Sequence, residues 1–141
     1  MSNVVLLKIG GVFHFMCAVL HIFFPRMFQW DRHLEGMTRE GYAVVSANLN
    51  IMNICLLVMW VMLAYIPFFH AAEILETRSG RALVSFIVLF WLVRIFVLQP
   101  VYAGLSSAES IITAGVFLIG ALCFIIPLAR TAASLKRNAG A

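Results

Sequence analysis

Seven residues carry most of the chemistry that this chain has to offer: His21, Asn48, Asn50, Arg94, Gln99, Tyr102 and Glu109, each set in apolar sequence. A guanidinium flanked by side-chain amides is a planar fork of donors suited to an oxyanion or carboxylate, and Arg94 with Asn48, Asn50 and Gln99 is such a set. A histidine beside a carboxylate, here His21 and Glu109, is the smallest kit for acid–base work, with Arg94 as oxyanion partner. His21, His33 and Asp31 add nitrogen and oxygen donors for a zinc-like or iron-like ion, although their spacing matches no compact metal motif. His14 lies deeper; it pairs with the Asn53 amide or, as an alternative, ligates a haem for which no second axial histidine stands at the same depth.

The elements that position these residues follow from composition. The chain has 141 residues, 63% of them hydrophobic and 11% charged, with mean hydropathy +1.00; soluble domains carry about 25% charged residues. The pattern is that of an all-α integral membrane protein. Four apolar runs, at about residues 4–24, 42–66, 81–99 and 108–128, are each long enough to cross a bilayer. One four-helix domain therefore fills the whole chain. Pro25 and Pro67 mark the ends of the first two runs, since proline cannot donate to a helix ladder.

Short links make successive spans alternate in direction, which predicts an antiparallel bundle with both termini on one side. Lys8, Arg78, Arg81, Arg130, Lys136 and Arg137 fall on that side and Arg26, Arg32 and Arg39 on the other. The excess places both termini in the cytoplasm, in a bacterial inner membrane. The same alternation brings the end of span one, the start of span two, the end of span three and the start of span four to one depth, on the non-cytoplasmic side. His21, Asn48, Asn50, Arg94, Gln99 and Glu109 are then predicted to converge, with an Arg94–Glu109 ion pair offsetting part of the roughly 2.5–3.5 kcal/mol that a charge costs at a helix centre. The opposite halves, LLVMWVMLAYI and FLIGALCFIIPLA, hold almost nothing polar.

Between the spans, PRMFQWDRHLEGMTREG is the wettest stretch, with Met27, Trp30 and Leu34 at the spacing of a short surface helix. HAAEILETRSG reads as a polar turn, and ARTAASLKRNAGA as a basic tail that frays beyond its first turn. Cys17, Cys55 and Cys123 sit in three different apolar runs without CxxC spacing and read as small buried hydrophobes. No nucleophile motif, Gly-rich phosphate loop or basic nucleic-acid face is present, so nucleic acid is excluded as a partner.

The stretches SANLNIMN and LFWLVRIF resemble the MAPEG family of membrane glutathione-dependent enzymes, with polar residues in span two and an arginine late in span three. The resemblance implies a homotrimer with glutathione between subunits. The chain departs from the family in span two, where Ser46 or Ala47 stands in place of the arginine and no acidic residue follows. The residues themselves support three classes. The first is a protein with a polar pocket that binds a small molecule or ion, with transport as an extension and a homo-oligomer as its form. The others are a membrane-interface enzyme acting on a lipid-soluble substrate, and a structural or assembly subunit. No cofactor is specified.

Overall fold

The computed structural model describes residues 1–99 and 107–139, with side chains described for 1–99 and 110–138. The fold is all-helical. Helix α1 spans Asn3–Met27, the short α2 Trp30–Leu34, α3 Arg39–Phe69, α4 Ala71–Glu76, α5 Arg78–Val93, then a π-helical turn Arg94–Leu98, and α6 Ser107–Ala139. Four helices are long and apolar enough to cross a membrane: Asn3–Met27, Arg39–Phe69, Arg78–Leu98 and Ser110–Asn138.

Side-chain caps begin three of these helices. The Ser2 hydroxyl accepts from the Val5 N–H at 3.3 Å, Thr38 from Gly41 at 3.2 Å and Thr77 from Gly80 at 3.0 Å, each satisfying a donor that the first helical turn leaves open.

Helix α1 packs against α3 and α6, and α5 packs against α6. Trp60 of α3 closes the ring by meeting Phe90 and Trp91 of α5, both at 5.5 Å between ring centroids. The core includes Leu7, Ala18, Trp60, Val84, Ile87, Trp91, Ala121 and Phe124. Large apolar side chains such as Phe15, Met52, Phe86, Ile111 and Ile119 are exposed on the outer surface, where acyl chains replace water as the solvent.

Three helix boundaries differ from those read in the sequence. The first two spans continue through Pro25 and Pro67 to Met27 and Phe69. Proline is tolerated there because a neighbouring helix takes the carbonyl that it leaves open, as the site geometry makes plain below. The basic tail stays helical to Ala139, helped by good helix formers and by Lys136 and Arg137 at the negative end of the dipole. Arg130 also ties this helix to the N-terminus, donating to the Met1 carbonyl at 3.0 Å.

The polar turn after α3 is in part a helix, α4, which buries Ala71, Ile74 and Leu75. Arg81 covers its end, donating to the carbonyls of Leu75 at 3.0 Å and Glu76 at 2.9 Å. Gly80 lies so close to the Ile74 backbone that a Cβ would collide with it. The wet stretch does contain the surface helix α2, whose Leu34 is buried. Of the cysteines, Cys123 is buried, Cys17 is half-buried and Cys55 is exposed on the outer surface. The buried reading is therefore corrected for Cys55.

Candidate functional site

Two carbonyls without a helical donor organise the polar interior. In a regular helix the N–H of residue i meets the carbonyl of i−4. Pro67 has no N–H, so the Leu63 carbonyl lacks its usual donor, and the His14 ring takes it: Nδ1 lies 3.0 Å from the Leu63 oxygen. Because a carbonyl only accepts, Nδ1 carries the proton. Nε2 therefore has the lone pair, and Trp91 Nε1–H donates to it at 3.1 Å.

His14 is fully buried, stacked on Phe124 at 5.0 Å and on Trp91 at 5.8 Å. Both of its nitrogens are engaged, which leaves none for haem iron. Its partners are Leu63 and Trp91, not the Asn53 amide expected from depth alone.

Pro25 repeats the arrangement in the opposite sense. It leaves the His21 carbonyl without a donor, and the Asn53 amide of α3 donates to that oxygen at 2.9 Å. The donor role fixes the amide orientation, so Asn53 Oδ1 must accept, and His21 Nδ1 lies 2.9 Å from it. The imidazole proton is again on Nδ1. Each helix thus repairs the proline of the other, α3 lending Asn53 to α1 and α1 lending His14 to α3.

The two histidines differ in what remains. Among the described residues, His21 Nε2 makes no hydrogen bond, although the residue is only 7% exposed. With the proton on Nδ1, Nε2 presents a lone pair there. A cavity of about 140 Å³ lies beside it, lined by His21, Phe24, Trp30, Leu49, Met52, Asn53 and Leu56. Next to His21, at 6.0 Å between ring centroids, Trp60 buries an indole N–H that has no partner among the described residues.

A second polar group joins α5 to α6. Arg94 donates to Gln99 Oε1 at 3.0 Å, Gln99 Nε2 donates to the Ser110 hydroxyl at 3.2 Å, and the guanidinium lies 4.8 Å from the Phe117 ring centroid. The π turn makes the first contact, since i→i+5 bonding stacks Arg94 over Gln99 where an α-helix would rotate them apart. Gln99 is buried.

The predicted convergence is therefore divided. Arg94 and Gln99 are brought together, while His21 belongs to the other group, with Asn53. Asn48 and Asn50 are exposed and turn back onto their own helix, donating to the carbonyls of Val44 at 2.9 Å and Ser46 at 2.8 Å. Asn48, five positions before Asn53, lies on another face of α3, whereas Asn50, three positions before it, shares that side but spends its amide on Ser46 of its own helix. Tyr102 lies outside the described residues, and so does the side chain of Glu109. Asp31 accepts from the Tyr42 hydroxyl at 2.9 Å. His33 is exposed, and no three His, Cys, Asp or Glu side chains among the described residues stand close enough to hold a metal. The set His21, His33 and Asp31 is not assembled as a metal site.

Sequence reasoning missed the Asn53–His21 pairing and the roles of Trp60 and Trp91. A usable signal was present. His21 and Leu63 each stand four residues before a proline, which marks their carbonyls as needing outside donors. Compared with known proteins, the chain matches no family model, no curated protein and no solved structure.

Proposed function

We propose that this multi-pass membrane protein binds a small amphipathic molecule whose head, about the size of one ring, carries a hydroxyl that bonds His21. The observation that carries the reading is the two-point clamp of Asn53 on His21, which turns an unbonded Nε2 lone pair toward chemistry other than the fold's own. A cavity of about 140 Å³ is close to the engineered cavity of roughly 150 Å³ that accepts a benzene ring. Its lining is apolar apart from His21, Trp30 and Asn53. A hydroxyl supplies a proton for His21 Nε2. Binding is favoured over transport because His14, Trp60, Trp91 and Phe124 form a dry aromatic layer across the bundle.

The remainder of the reading concerns placement. The spans alternate in direction; the pairing of residues 11, 14 and 21 of α1 with 64, 63 and 53 of α3 supports this for the first two. The termini face the cytoplasm of a bacterial inner membrane, with the His21 cavity toward the other side, on the strength of the basic-residue excess.

Imidazole ¹⁵N NMR with phenol and benzene as probes tests the binding reading. Phenol is expected to shift His21 Nε2 and leave His14 unmoved, and benzene to shift it far less. Equal small shifts from both probes would refute a hydroxyl-binding site. They would favour the alternative of a structural subunit, which has its own support in the use of His14 and Asn53 to repair helix breaks.

A further inference from the structure

A cavity of about 420 Å³ lies away from the His21 site, in the outer surface between α1 and α3. Gly11 and Ala64 form its floor. The α3 backbone comes so near there that a Cβ on Gly11 would stand 2.9 Å from the Ala64 carbonyl. Phe15, Val61, Tyr65 and Phe68 are among its walls, all apolar but for the Tyr65 hydroxyl.

A cation stands at one end of this groove. Lys8 Nζ lies 5.8 Å from the centroid of Phe68, itself a wall residue. Lys8 is exposed and makes no ion pair among the described residues. One turn of α1 separates it from Val12 and two turns from Phe15, so the groove runs from the charged end of the helix toward its middle. At the same end Arg130 holds the Met1 carbonyl, adding positive charge, while Glu73 of α4 is occupied by His70 at 3.2 Å.

We infer that this groove holds one acyl chain of an anionic phospholipid whose phosphate meets the Lys8 ammonium. The groove supplies what a chain needs, an apolar trough parallel to the helices. Lys8 supplies what a zwitterionic neighbour would use less well, an unneutralised cation at headgroup depth. The Phe68 ring holds the lysine stem along the wall by cation–π attraction and by burial of its methylenes. A basic residue near an anionic membrane surface contributes about 1 kcal/mol, which corresponds to about fivefold in occupancy.

The test is native mass spectrometry of the full chain released from bilayers containing equal amounts of phosphatidylglycerol and phosphatidylcholine with identical chains. Wild type is expected to retain phosphatidylglycerol over phosphatidylcholine by about fivefold. Lys8→Gln, a surface change that leaves the core untouched, should bring the ratio close to unity, and Lys8→Arg should restore it. Val61→Phe, which fills the groove, should lower retention of both lipids. An unchanged ratio in Lys8→Gln, equal retention by wild type, or a lipid-free dimer seated on this face would each overturn the proposal. Because the readout is lipid identity at Lys8, failure here leaves the His21 reading standing, and failure there leaves this one.

Discussion

Replacing Asn53 with leucine should destabilise the protein by an amount that depends on whether residue 25 is proline. Asn53→Leu removes two interhelical hydrogen bonds, at 2.9 Å each. Such bonds average about 0.6 kcal/mol in membrane proteins. The larger cost is the His21 carbonyl, which Pro25 leaves without a helical donor; an unsatisfied buried group costs about 1–3 kcal/mol. In the wild-type background the substitution should therefore cost about 2–3 kcal/mol. In a Pro25→Ala background the alanine N–H takes the carbonyl back into the helix ladder, and Asn53→Leu should cost only about 1 kcal/mol, chiefly for the lost His21 ring contact. The coupling is thus about 1–2 kcal/mol. Reversible unfolding of the four variants in mixed micelles, followed by tryptophan fluorescence, measures it as a double-mutant cycle. A coupling below about 0.5 kcal/mol, the usual limit of additivity, would refute the account of Asn53 as the substitute donor for Pro25.

Other expectations follow from the same geometry. His14→Leu strips a partner from both the Leu63 carbonyl and the Trp91 indole and should cost about 2–4 kcal/mol in the same assay; adding Pro67→Ala should recover only the carbonyl share. Gly80→Val drives a side chain into the Ile74 backbone and should destabilise by about 3 kcal/mol, with faster amide exchange confined to α4 as its signature. Gln99→Leu takes one acceptor from Arg94 and one donor from Ser110; it should cost about 1 kcal/mol and leave phenol binding at His21 intact. Loss of that binding would join the two polar groups into one site. In detergent, a membrane-permeant thiol reagent should modify the exposed Cys55 faster than the buried Cys123.

The four spans were legible because twenty apolar residues in a row have few other fates, and the surface helix α2 because Trp30 and Leu34 recur at helical spacing. Depth was read only coarsely: Asn53, expected level with His14, instead meets His21 seven positions along α1, and His14 meets Leu63. Azimuth was not legible. Asn48, Asn50 and Asn53 differ by only a few positions, yet α3 turns one of them to α1 and the others to its own backbone. Nothing in a single span says which face its neighbour will cover. The helix ends were misread because Pro25 and Pro67 were weighed as breakers within one helix, whereas the donors that compensate for them come from another. The Arg94–Gln99 contact depends on a π turn, which no propensity of RIFVL announces.

The reciprocal repair of Pro25 and Pro67 has a consequence for how this chain can vary. A proline and the side chain that serves its open carbonyl stand on different helices, 28 positions apart for Pro25 and Asn53 and 53 apart for Pro67 and His14. Asn53 and His14 each keep one further contact, with His21 and Trp91, but their service to the open carbonyl has value only while the proline is present. Drift at position 25 to any residue with an N–H relaxes the demand on position 53, and the same holds between 67 and 14. Relatives of this chain should therefore keep or lose each pair together, so that two links between α1 and α3 could be read from sequences alone, without any structure in hand.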